Sequence, residues 1–176
     1  MKKIFLSLCG GLLLTFLVPT VTLAKTPTTA SLQNKAQVLF VLLAKEGTIH
    51  EVIPGQYQLT LNKVNPEIIY FAERPARFAN HVNVAEFIKQ WQTGTFKADP
   101  PNAVIQAIRI THNGAFERQK HTVNYAIVLK NPTYNKVTDQ LHFDIKRLSG
   151  NTSALPVIAS SDYLALFVDG ACLSCF

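Results

Sequence analysis

Gln56-Tyr57-Gln58-Leu59-Thr60-Leu61-Asn62 is the stretch whose reading decides the fold class. Tyr57, Leu59 and Leu61 occupy alternate positions and share one face of an extended chain. The glutamines, Thr60 and Asn62 share the other. A period of two, apolar on one side and polar on the other, is the pattern of a half-buried strand in an antiparallel sheet.

Working outward, the same pattern recurs between turn residues. Upstream, Pro54-Gly55 marks a reversal. Before it, Glu46-Gly47 predicts a turn that separates a strand over Thr48–Ile53 from the apolar run Val38–Leu43. That run is rich in branched residues and reads as a buried strand; a helix through Leu32, Ala36, Leu39 and Leu43 has equally good spacing. Downstream, Asn65-Pro66 turns the chain into a short strand over Ile68–Phe71. Ala103–His112 is apolar enough to be buried on much of both faces. Val123, Tyr125, Ile127 and Leu129 alternate with polar residues up to Asn131-Pro132, as do Leu141, Phe143 and Ile145 further on. Asn131–Lys136 reads as the tight hairpin between these two strands. A polar stretch, Ser149–Ser153, precedes a last apolar segment, Leu164–Val168.

One helix interrupts the series. Asn83 is placed to cap it, with Glu86 three residues on to complete a capping box. Val84, Phe87, Ile88 and Trp91 fall on one stripe, and Gly94 ends it. The stripe, Trp91 included, reads as packing against a sheet. These elements predict a mainly β fold: an antiparallel β-sandwich or partly open barrel with one short helix inserted between strands.

The amino terminus carries an address. Lys2 and Lys3 precede an apolar run from Ile4 to Val18, Pro19 breaks it, and Thr22-Leu23-Ala24 presents small residues where a signal peptidase reads. Residues 1–24 are expected to be a signal peptide, 25–35 a flexible polar lead and 36–176 a single β-rich domain. The protein is expected in the bacterial periplasm or outside the cell. The apolar run is shorter than a spanning helix needs, so no stable membrane insertion is expected after cleavage. Cleavage removes two of the 17 basic and none of the 11 acidic side chains, so the formal charge falls from +6 to +4. That charge is thinly spread, with no basic ribbon, which argues against nucleic acid as a partner.

Cys9 leaves with the leader. Cys172 and Cys175 remain, in Cys172-Leu173-Ser174-Cys175, and an even count in an oxidising compartment points to a disulfide. Metal capture needs further ligands, and thioredoxin-like chemistry needs a helix after the first cysteine, where the sequence ends one residue beyond the second.

The segment that does not read as plain scaffold runs from Tyr70-Phe71-Ala72-Glu73-Arg74-Pro75-Ala76-Arg77 through His81 to the helix. It continues beyond as Gly94-Thr95-Phe96-Lys97-Ala98-Asp99-Pro100-Pro101-Asn102-Ala103. This stretch resembles a family of small exported bacterial proteins without an assigned function. In that family an aromatic-acid-Arg-Pro-x-Arg segment, a Phe/Trp-bearing helix and an Ala-Asp-Pro-Pro-Asn-Ala segment follow one another. The match is specific over residues 56–105, looser to about 147, and does not include the Cys-x-x-Cys. The resemblance implies a shared fold and export, and no activity.

Taken directly, Glu73, Arg74, Arg77, His81, Trp91 and Asp99 admit three uses. Arg74 or Arg77 gripping a carboxylate pins the helix to the sheet. Arg74, Arg77 and His81 beside Trp91 and Phe96 form a cradle for an anion or sugar acid. His81 as base, with Glu73 or Asp99 orienting it, makes a hydrolase site. His112 and His121 facing one another across the Asn113-Gly114 turn region, with His142 joining from a neighbouring strand, would make an adventitious zinc or copper site; exposed strand-edge histidines are the preferred reading, and no metal is expected. The sequence contains no Gly-x-Ser-x-Gly elbow, phosphate-binding glycine loop or calcium loop. A non-enzymatic binding or interaction module is therefore the first expectation, with no cofactor and an anionic small molecule, glycan or protein as partner. A small secreted hydrolase is the alternative, and metal handling through Cys172 and Cys175 with a histidine the third.

Overall fold

A computed structural model describes residues 36–113, 117–148, 155 and 157–172. The proposed leader, the polar lead, Ser149–Ser153 and Cys175 lie outside these residues, as does the side chain of Cys172.

Nine strands and two short helices occur among the described residues, in the order β1 (Gln37–Ile53), β2 (Gln56–Val64), β3 (Glu67–Ala72), β4 (Phe78–Asn83), α1 (Val84–Thr93), α2 (Thr95–Ala98), β5 (Asn102–Asn113), β6 (Glu117–Asn135), β7 (Gln140–Arg147), β8 (Ile158–Ser161) and β9 (Tyr163–Cys172). The strands pair antiparallel in the order β2-β7-β6-β5-β9-β1-β3-β4. β1 also pairs β2, which closes β1, β2, β7, β6, β5 and β9 into a ring. The fold is mainly β with its helices inserted between strands, as the alternation predicts.

The length of β1 makes closure possible. Its first half pairs β9 and β3, and its second half pairs β2 and β8. Glu46-Gly47 reads as a turn in the sequence; the structure replaces it with an unbroken strand of 17 residues. Gly47 is there because it is small: a Cβ would lie 2.5 Å from Leu164 Cδ1. Pro54-Gly55 does form the reversal, with Gly55 at φ +78° in the left-handed region that glycine enters without strain.

Asn131-Pro132 does not stop β6. The pairing with β7 shifts between Lys130 and Thr133, Asn131 takes φ +47°, and the strand continues to Asn135. A bulge accommodates both residues, because Asn tolerates the left-handed conformation and Pro has no N–H to lose there. The hairpin link is therefore Lys136–Asp139, not Asn131–Lys136. Two short strands escape the periodicity reading. β4 is exposed along most of its length, and β8 has four residues.

Helix α1 is built as its sequence predicts. Asn83 Oδ1 accepts a hydrogen bond from the Ala85 N–H, and Val84, Phe87, Ile88 and Trp91 are buried. Glu86 Oε1 instead accepts from Gln90 Nε2. The apolar stripe meets the aromatic part of the core, where Phe40 packs edge-on against Phe87 and Trp91 packs on Phe96 and Phe143. The helix thus stoppers one end of the ring.

Candidate functional site

The Glu73-Arg74-Pro75-Ala76-Arg77 motif is the connection between β3 and β4. The Arg77 N–H donates to the Glu73 carbonyl at 2.9 Å, the Arg74–Pro75 peptide is cis, and Arg77 has φ +45°. Glu73, Arg74 and Arg77 are exposed. Among the described residues no carboxylate lies within 4.0 Å of Arg74 or Arg77, so the pin anticipated from sequence is not made there. His81 lies on β4 opposite Ile69, 3.9 Å from the Glu67 carboxylate and paired with neither Glu73 nor Asp99. Asp99 follows α2, so the ten-residue helix α1 stands between it and His81.

Two separate hollows share the singled-out residues. Glu73 and Arg74 line one of about 510 Å³ with Leu39, Phe71, Pro75 and Asp169. Trp91 borders another of about 550 Å³ with Lys97 and Lys130, although only 3% of its surface is exposed. Arg77, His81 and Asp99 line neither. The histidines also separate. Register sets His112 opposite Arg118 and His121 opposite Arg109, while His142 bonds Thr60 and Gln140 on the β2–β7 pair. No cluster of three metal-binding side chains occurs among the described residues.

A different constellation forms at the end of the ring away from α1. Pairing passes from Phe40 to Val168, Ala103, Ile127 and Arg147. One inward step along β7, Ile145 faces Tyr57, which faces Glu51. The ring therefore returns to β1 well below its starting point, and such a stagger means strongly tilted strands. Tilt carries inward positions from all sides to one mouth: Arg109 and His121 as a cross-strand pair, Tyr125, Tyr57, Glu51 and Arg147. Each lies in the inward alternation of its strand, two or more residues past fully buried partners such as Ile49, Leu59, Ile105 and Ile127.

The mouth opens into a cavity of about 250 Å³ between the β5–β6 ribbon and β8. Arg109, His121, Tyr125 and Ser160 supply polar groups, and Val123, Val157 and Ile158 supply apolar wall. On the adjoining side, burial and the neighbouring Glu51 carboxylate raise the Tyr57 hydroxyl pKa above its ordinary value, and Arg147 pulls it the other way. Arg147 Nη2 is buried and has no hydrogen-bond partner; Arg147, Tyr57 and Glu51 stand beside the cavity and are not among the residues that line it. A buried charged donor without an acceptor costs on the order of 1–3 kcal/mol or more, so it marks a place of unmet demand for negative charge. No local sequence pattern reveals this group. Arg109 and Arg147 look like solvated strand residues until register shows which way they face.

Comparison with protein-family models, with curated proteins and with solved structures finds no match to this chain.

Proposed function

We propose that the protein is an exported, non-enzymatic binding module that holds a small anionic molecule in the mouth of its barrel. The unpartnered, buried Nη2 of Arg147 is the observation that carries this reading. Around it, among the described residues, the mouth sets two guanidinium groups and His121 beside the Glu51 carboxylate, while the Asp162 carboxylate at the rim is engaged by the Ile110 N–H. Barrel mouths with apolar walls and a few convergent polar groups are common ligand sites. A carboxylate on a compact apolar body suits this one, with the anion toward the arginines and the body against Val123, Val157 and Ile158. The Glu73–Arg74 hollow is less suited to an anion, because Glu73 and Asp169 offset its one cation. Export is supported by the Lys2–Ala24 pattern and by the family resemblance.

The test is a calorimetric titration with benzoate, and with inorganic phosphate as the anion without an apolar body. Benzoate is expected to bind saturably and phosphate more weakly. Arg109→Gln or Arg147→Gln is expected to weaken benzoate by roughly 10- to 100-fold, the range for a charge-assisted hydrogen bond. Absence of saturable benzoate binding up to about 10 mM, a range that covers even very weak complexes, would sink the proposal.

A further inference from the structure

Three segments are apolar at consecutive positions, not only at alternate ones: Val38–Ala44, Ala103–Ile105 and Leu164–Val168. One half of each enters the core: Val38, Phe40 and Leu42, Ala103 and Ile105, and Leu164, Leu166 and Val168. The other half points away from it. Runs of this kind belong to strands buried on both faces, and here the described residues cover only one face.

The outward half is ordered. Ile69 pairs with Val41, Val41 with Phe167, Phe167 with Val104 and Val104 with Ala126, giving one apolar row across β3, β1, β9, β5 and β6. Phe71 and Leu39 flank it on one side; Leu43, Ala165, Ile108 and Tyr163 flank it on the other. Leu43, Ile69, Val104 and Tyr163 are 42%, 48%, 42% and 55% exposed. Five strands about 4.8 Å apart and three outward positions about 6.7 Å apart outline roughly 400–500 Å², of which Asp169 and Asn102 on one side and Glu67, Gln106 and Asn124 on the other form the polar margin. Its apolar part is continuous along the central row and has the size of the largest apolar patch on a typical monomer, which is often functional.

We infer that this face pairs two copies of the mature chain, sheet on sheet. Two observations select a second copy. The centre of the face carries no charge, so nothing in it repels its own image or selects a charged stranger. The rim is self-complementary: Lys45 continues the Leu39-Val41-Leu43 line at one end, and Asp169 stands opposite Leu39 at the other. Neither has an ion-pair partner within 4.0 Å among the described residues. A two-fold axis along the central row turns Lys45 of each copy toward Asp169 of the other while the apolar rows interdigitate, as in sandwich packing. The inference is independent of the ligand reading, because the mouth opens on the inward side.

Sedimentation equilibrium of the chain beginning at Lys25 tests it. A dimer is expected, with the double variant Ile69→Lys, Val104→Lys weakening association on the order of 100-fold or more. The near-isosteric pair Ile69→Thr, Val104→Thr guards against misfolding by the lysines; it is expected to keep the circular dichroism of the parent and shift the equilibrium toward monomer. A monomeric parent at about 100 µM, a concentration at which a micromolar dimer is almost fully formed, overturns the inference. So does a dimer unaffected by the threonine pair. A monomeric parent that co-sediments with phosphatidylcholine–phosphatidylglycerol vesicles also overturns it, and gives the face to lipid.

Discussion

Replacing Trp91 by Ala asks whether the one tryptophan is a structural stopper or a ligand platform. Its ring lies 4.8 Å from that of Phe96 and 5.7 Å from those of Phe87 and Phe143. Removing it empties the junction of α1, α2 and β7 and leaves three aromatic rings short of contacts. Large-to-small aromatic substitutions in cores cost about 3–5 kcal/mol, against a total of about 5–15 kcal/mol for a domain. Helix α1 has ten residues and cannot persist without its apolar stripe, so little relaxation refills the space. For a domain of this size each kcal/mol moves Tm by roughly 2–4 °C, so a fall of roughly 6–20 °C is expected. Far-UV circular dichroism is the suitable readout, since the substitution removes the only tryptophan. Trp91→Phe fills part of the volume and is expected to recover more than half of the loss. A Trp91→Ala protein that melts within about 2 °C of the parent would refute the packing argument, because no buried ring of this size is lost at so small a cost.

Four further outcomes are expected. Gly170→Ala drives a Cβ into the Val38 carbonyl oxygen and should destabilise by more than about 3 kcal/mol or prevent folding, read by urea denaturation. Asn83→Ala removes the α1 cap and should cost about 1 kcal/mol in the same assay. The Tyr134 hydroxyl, raised by burial and by the adjacent Asp139, favours the neutral form in the folded state, so its contribution is complete below the ordinary value of 10.0 and is lost as pH climbs beyond it. Tyr134→Phe should therefore flatten the alkaline decline of Tm. Amino-terminal sequencing of the protein purified from its host should begin at Lys25; a chain starting at Met1 in the cytosol would remove the export reading.

What the sequence made legible follows from where burial is one-sided. Leu59 and Leu61, or Val84, Phe87, Ile88 and Trp91, report their elements because each pattern has a wet face to contrast with a dry one. Gly47 misled because its smallness serves close packing against Leu164, and glycine looks the same in a turn. Asn131-Pro132 misled because a bulge uses the same residues as a stop. β4 was invisible because Phe78-Ala-Asn-His-Val-Asn lies along the sheet edge and has little to bury. The mouth was the least legible feature. Arg109, His121, Tyr125 and Arg147 are scattered over 39 positions and meet only through a register that no local pattern encodes. The segment that looked most functional, Glu73 to Arg77, is in its geometry a hairpin connection, with its arginines exposed and apart from Trp91 and Asp99.

Side-chain ¹⁵N spectroscopy of the Arg147 guanidinium, recorded as benzoate is added, addresses the binding mouth most directly. Saturable shifts of the Arg147 Nε and Nη signals, together with those of Arg109 and with Arg74 and Arg77 unmoved, are expected. Guanidinium signals of Arg147 that stay fixed while benzoate saturates another surface would contradict it.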